Sequence, residues 1–161
     1  MTDILIADYH NPLHRKAVID LLDDYARDPM GGGEPLSAQT RETLIPALIA
    51  QPGAFSILAF DGDKPVGLVN CFQTLSTFKA RPLINIHDVA VKESHRGKGI
   101  STRMLHKVEE VARQRDCCKL TLEVLDGNTI AQNAYRKLGF SGYELNPQLG
   151  KALFWEKKLP A

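Results

Sequence analysis

The sequence predicts an α/β fold with a mixed central β-sheet of about seven strands and about four helices. Three observations predict it. Short apolar runs with period-two alternation are separated by segments whose apolar residues recur every three to four positions. A tight-turn signal, "DGDK", joins two of the apolar runs as a hairpin. From Leu83 onward, strand and helix patterns alternate, the mark of parallel strands with crossover helices.

Taken in order, "DILIAD" reads as a first strand. From Pro12 to about Arg27, Leu13, Ala17, Val18, Leu21, Leu22 and Tyr25 fall at helical spacing. "RDPMGGGEPLS" then breaks the pattern with three consecutive glycines between prolines, the composition of a mobile loop. Ser37 is placed to cap a second helix, with Pro46 predicting a kink or stop. "AFSILAF" and "PVGLVNCFQ" form the hairpin, "STFKARP" a loop, and "LINIHDVAV" an alternating strand. After "HRGKGIS", residues Met104, Leu105, Val108, Val111 and Ala112 make one apolar helix face. "CCKLTLEVL" reads as a strand and "NTIAQNAYRKL" as a helix ended by Gly139. "SGYEL" and "KALFWEKKL" close the chain as a last hairpin.

The 161 residues fit one domain, 1–161, and the composition is that of an ordinary globular chain: 43% apolar, 24% charged, net charge +1. Near-neutrality gives no electrostatic footprint for nucleic acid. The longest apolar run, "LIPALIA", is too short to span a bilayer, and "MTDILIADYHN" has no signal-peptide pattern. Three cysteines form no disulfide framework or CxxC pair; Cys117 and Cys118 would face opposite sides of a strand. A cytoplasmic location with reduced thiols is the expectation. His10 and His14 have Pro12 between them and no third ligand in the pattern, so no metal site is expected.

The stretch "HRGKGIS" carries the chemistry. It is not a phosphate loop of the GxxxxGK type, because no glycine lies five before Gly97-Lys98. It is not a dinucleotide fingerprint either, since the third glycine position is Thr102. What remains is a strand running into a glycine turn and then a long helix. That arrangement aims backbone N–H groups and the positive end of a helix dipole at one point. Gly97 and Gly99 let an anion approach the amides, while Arg96 and Lys98 add charge beside it. The alternative is a helix start whose glycines merely suit the turn.

The flanks bear on that choice. "VAVKESHRGKGISTRML" followed by "NTIAQNAYRKLGF" resembles the GCN5-related N-acetyltransferase (GNAT) superfamily. The family's [R/Q]xxGx[G/A] signature is met by Arg96 and Gly99, with Ser101 as a departure that keeps a small residue at the last position. A second pattern is met by Asn128, Ala131, Tyr135 and Gly139-Phe140. The detailed likeness covers residues 84–140, and the order of elements extends it over nearly the whole chain.

The resemblance implies a GNAT fold with a V-shaped splay between the two central parallel strands, and acetyl-CoA as co-substrate. By it, the amides of Arg96, Gly97, Lys98, Gly99, Ile100 and Ser101 hold the CoA diphosphate. Val89, Ala90 and Val91 pair with the pantetheine arm, and Asn128 and Ala131 complete the cofactor contacts. Asn128 also suits an N-cap. Tyr135, two helical turns from Asn128, is the residue the family points at the CoA sulfur. Reference values of about 10 for a phenol and about 8.5 for a thiol make full proton transfer uphill by roughly 2 kcal/mol. A hydrogen bond that stabilises the thiolate is therefore the minimum role.

The base is open. The positions where family members often carry a glutamate fall on Asn85 and His87, neither acidic. His87, with a reference value near 6.5, suits a base acting directly or through water. Asp88 competes with it, and strand alternation puts Asp88 on the opposite face unless a bulge intervenes. On the acceptor side, Asp23, Asp24, Asp28 and Glu34 would attract a cation, whereas Lys79 and Arg81 would meet an acidic group. The resemblance implies acetyl transfer to a primary amine; no cysteine stands in a nucleophile setting, so direct transfer is expected, and the compact single domain favours a small-molecule acceptor. A protein or peptide acceptor, and a non-catalytic acyl-CoA sensor on the same fold, are the alternatives. Homodimers are common in the family, and "ALFWEKKL" is where such an interface is expected.

Overall fold

The computed structural model describes residues 1–161. By its internal contacts the chain divides into two compact units, Met1–Leu125 and Asp126–Ala161.

The first unit is built on one mixed five-stranded sheet, in the order β1 (Thr2–Ile6), β2 (Phe55–Asp61), β3 (Lys64–Ser76), β4 (Arg81–Val91), β5 (Leu120–Leu122). The pairs β1–β2, β2–β3 and β3–β4 are antiparallel, and β4–β5 is parallel. Helix α1 spans Pro12–Arg27, capped by Asn11, whose side chain accepts from the N–H groups of Leu13 and His14. Helix α2 (Ala38–Ala50) is capped by Ser37 and runs through Pro46 without ending. Burial of Ile45 and Leu48 on either side of the proline holds the turn that propensity alone would break. The amphipathic helix α3 covers Ile100–Gln114.

The core is two-layered. Ala17, Val18 and Leu21 of α1 and Ile45 and Leu48 of α2 pack on Leu58, Phe60 and Leu68. On the other face α3 buries Met104, Leu105, Val108, Val111 and Ala112. Gly67 makes that approach close: a Cβ there would stand 2.9 Å from the Met104 sulfur. The "RDPMGGGEPLS" segment is organised by Asp28. Its carboxylate accepts from Met30 N–H, and its carbonyl accepts from the N–H groups of Gly31 and Gly33.

The second unit contains helix α4 (Thr129–Lys137), a short 3-10 turn at Pro147–Leu149, and chain without regular secondary structure. The expectation of about seven strands is corrected here to five. "SGYEL" and "KALFWEKKL" form no ladder; one backbone bond, Ala152 N–H to Tyr143 O at 2.9 Å, joins them. Their alternation marks an apolar face but supplies no neighbouring edge, and a two-stranded hairpin alone is marginal. "CCKLTLEVL" likewise contracts to Leu120–Leu122, so Cys117 and Cys118 lie in the connection before β5 rather than on a strand.

Candidate functional site

β4 is the element on which the site is built. Its parallel pairing with β5 runs Ile84–Leu120, Asn85–Thr121 and Ile86–Leu122 and stops there. Beyond it, Asp88 to Val91 pair with β3 alone and His87 pairs with neither strand. Val89, Ala90 and Val91, the expected pantetheine contacts, lie in this singly paired stretch and are half-buried.

Beyond Val91 the chain makes a 3-10 turn at Glu93–His95 and passes through the glycines into α3. Gly97 (φ 76°) and Gly99 (φ 77°) are both left-handed, a conformation that favours glycine, and a Cβ built on either would project into open space. Gly99 is the N-cap of α3 and contributes no side-chain cap. Arg103 N–H closes the first helical bond onto Gly99 O, whereas the N–H groups of residues 97–102 donate to no protein acceptor. Six unpaired donors thus lie at the positive end of a helix dipole, beside two glycines whose Cβ positions are open, an arrangement suited to a diphosphate.

Side chains brace this loop. His95 Nε2 bonds Asp61 Oδ2 at 2.9 Å, and Ser94 Oγ bonds His95 Nδ1 at 2.8 Å. The His95 contact holds the Asp61 carboxyl below the usual carboxylate range. Arg96 donates from Nε to Val91 O at 3.1 Å and from its guanidinium to Asp28 at 3.3 Å. Lys92 stands 3.8 Å from Asp24. Asp23 is buried, accepts from Leu36 N–H, and pairs with Arg27 and Arg41. Three of the four acids expected to attract a cationic acceptor are therefore paired within the chain, and Glu34 is exposed. Of the opposing pair, Arg81 is bound to Asp116, while Lys79 is exposed.

Register sets how His87 and Asp88 are arranged. Asn70 pairs with Asp88 and Cys71 with Ile86, so His87 is the extra residue of a β-bulge. His87 lies edge-on to Phe72, ring centroids 5.4 Å apart, and Asp88 Oδ2 accepts from Asn70 Nδ2 at 3.0 Å. Phe72 and Asn70 are two apart on β3 and share a face. The bulge thus brings both side chains to the sheet face that packs on α1 and α2. Asn85, opposite Phe72, is on that face too, and bonds Thr121 Oγ1 at 3.1 Å. His87 is exposed, and Asp88 is half-buried.

Behind Asp88 the hydrogen bonds continue. Asn70 Oδ1 accepts from Ser56 Oγ at 2.6 Å, and Ser56 Oγ lies 2.7 Å from Tyr9 Oη. The sequence reading missed these three residues. The one signal that pointed to them is Asn70 itself, a polar break in the apolar run "VGLVNCF".

In the second unit, Asn128 is the N-cap of α4, its Oδ1 accepting from Ala131 N–H at 3.2 Å. The half-buried Tyr135 ring packs against Phe140 with centroids 6.0 Å apart. Gly139, just past the helix, has φ 94°. Cys71 is wholly buried, and burial pushes its thiol far above the ordinary value, so it is no nucleophile at neutral pH.

A glycine turn of unpaired amides at a helix start, fed by a strand that has lost one partner, is set in an α/β fold. The chain belongs to the Acetyltransferase (GNAT) family, whose profile matches residues 16–140. It is similar to the thialysine N-epsilon-acetyltransferase of Bos taurus, 35% identical over 96 residues, covering 60% of this chain and 53% of that protein. It is also similar to the streptothricin acetyltransferase of Streptomyces lavendulae, 40% identical over 58 residues, 36% of this chain and 31% of that one. The chain thus spans about half the length of the bovine relative it matches. An aminoglycoside acetyltransferase from an uncultured soil metagenomic sample, in complex with trehalose, shares the fold. It has a TM-score of 0.81 at 16% identity, covering 99% of this chain and 97% of that one. No helix is long and apolar enough to cross a membrane.

Proposed function

We propose that the protein is an acetyl-CoA-dependent N-acetyltransferase that acts on a primary amine of a small molecule by direct transfer. The observation that carries this reading is the row of N–H groups at residues 97–102, opened by two left-handed glycines. Arg96 to Ser101 bind the diphosphate, and the unpaired side of β4 at Val89–Val91 binds the pantetheine arm by backbone hydrogen bonds. A backbone N–H on that strand polarises the thioester carbonyl.

The acceptor must present a neutral amine, and at pH 7 an amine of pKa about 10.4 pays roughly 4.6 kcal/mol to lose its proton. His87, exposed on the acceptor face of the bulge, takes that proton directly or through water, with Asp88 as the competing group. The amine nitrogen bonds to the acetyl carbon, the carbon–sulfur bond breaks, and the electron pair leaves with sulfur. Tyr135 donates a hydrogen bond to the departing thiolate; that role rests on the motif Asn128, Ala131, Tyr135. The relatives' names, thialysine and streptothricin among them, support amines carried on flexible or amino-acid-like groups as the acceptor class.

A second reading, an acyl-CoA sensor, is favoured by one observation: neither Asn85 nor His87 is a glutamate. The deciding experiment measures acetyl-CoA binding by calorimetry and CoA release against thialysine, lysine, streptothricin, an aminoglycoside and a peptide N-terminus. Turnover on a small amine is expected. Tight binding without turnover on any acceptor establishes the sensor, and turnover confined to the peptide moves the acceptor class. Failure to bind acetyl-CoA would sink both readings.

A further inference from the structure

Tyr9, Ser56, Asn70 and Asp88 come from four separate places: the connection after β1, then β2, β3 and β4. They form one hydrogen-bonded row across the sheet, with contacts of 2.7, 2.6 and 3.0 Å. Counting protons sets its direction. Ser56 has one hydroxyl proton, and Asn70 Oδ1 takes it, so the Ser56 oxygen accepts from Tyr9 Oη–H. Asn70 then spends its amide on Asp88. Every donor in the row points toward the Asp88 carboxylate, an acceptor-only group when ionised. Burial pushes the Tyr9 phenol above its ordinary value, so the donor at the far end keeps its proton at working pH.

The row sits among Leu58, Leu68 and Phe72, with Ser56 at 0% and Asn70 at 3% exposure. Apolar residues of the same shape would serve stability about as well. What a polar row adds is a defined orientation for its last member. Asp88 is that member, on the same bulge as His87 and on the same sheet face.

We propose that Asn70, backed by Ser56 and Tyr9, is a positioning residue that holds Asp88 Oδ2 so that Oδ1 is presented to the acceptor's amine. The inference rests on the transferase reading above and assigns a device within it. Asp88 supplies the oriented charge, and the neighbouring exposed His87 is left to move the proton. The other titratable groups that interact with Asp88 are Tyr25 of α1, which Asp28 also affects, and Cys71 beside Asn70. The chemistry selected is an acceptor that brings a positive or proton-rich nitrogen.

The test uses the full chain with thialysine as the amine probe. Asn70→Asp keeps the shape but turns an oxygen on Asp88, and Tyr9→Phe removes only the terminal hydroxyl. Asn70→Asp is expected to raise the KM for the amine by about tenfold or more, a loss the size of one charged hydrogen bond. The dissociation constant for acetyl-CoA should stay within about twofold. Tyr9→Phe should move the amine KM in the same direction by a smaller factor, and it carries the test alone if Asn70→Asp does not fold. Folded variants with lowered Tm but wild-type amine KM would show a purely structural row and overturn the inference. Wild-type protein that acetylates no amine would instead overturn the transferase reading, a separate outcome.

Discussion

Gly99→Ala tests the anion cradle most directly. Gly99 has φ 77°, and the added methyl meets no protein atom within 4 Å. The protein itself therefore opposes the change only through backbone strain, about 1–2 kcal/mol for an L-residue in the left-handed region. For a chain of this length that lowers Tm by roughly 2–8 °C. The methyl does, however, project into open space within the stretch of unpaired N–H groups at residues 97–102. Displacing the diphosphate from one such donor forfeits about 1.5–3 kcal/mol, or roughly tenfold to a hundredfold in affinity. Gly62→Ala supplies the control. Its φ is 62°, its Cβ also meets open space, and it lies in the turn between β2 and β3. The two variants should lose similar stability by thermal melting, while calorimetry with acetyl-CoA separates them. If Gly99→Ala binds acetyl-CoA as the wild type does, the amides are not the cradle.

Three further outcomes follow from the same reasoning. Tyr135→Phe should lower kcat by roughly tenfold to a hundredfold, the value of one hydrogen bond to a thiolate, in a CoA-release assay; an unchanged kcat at every pH would remove its catalytic role. His87→Ala should lower kcat/KM by about a hundredfold or more and abolish the acidic limb of the pH–rate profile, and a profile identical to wild type would shift the base to Asp88 or water. Burial raises the pKa of the Cys71 thiol and of the Tyr9 and Tyr25 phenols, with Asp88 and Asp28 adding to the effect on Tyr25. The folded state then binds more protons than the unfolded one above the ordinary values of 9.0 and 10.0, so stability is intact below about pH 9 and declines as pH rises beyond it; a urea midpoint that stays flat from about pH 7 to about pH 10 would contradict those assignments.

Much of the first unit was legible before any coordinates. The span Pro12–Arg27, the Ser37 cap and the "DGDK" hairpin are set by local rules, and each appears at its expected place. The glycine turn was legible for the same reason: left-handed backbone at Gly97 and Gly99, six and eight residues past β4, favours glycine, and a glycine is visible as a letter. The last hairpin was not legible, because alternation in "SGYEL" and "KALFWEKKL" reports a strand-like surface and says nothing of a partner edge. Nor was the fate of Asp23, Asp24 and Asp28, whose charges are met by Arg41, Lys92 and Arg96, residues distant in sequence.

The sequence by itself determined the family, the glycine turn at the start of α3 and the candidate residues along β4, since these depend on residue type and short spacing. Only the tertiary structure decided how His87 and Asp88 are arranged. A one-residue slip between β3 and β4 makes His87 a bulge, and because side chains alternate with period two, that slip brings Asp88 to the same face as its neighbour. The same pairing sets Asn70 against Asp88 and, through Ser56, links it to Tyr9. Those contacts span 18, 14 and 47 residues of chain, and no local pattern encodes them.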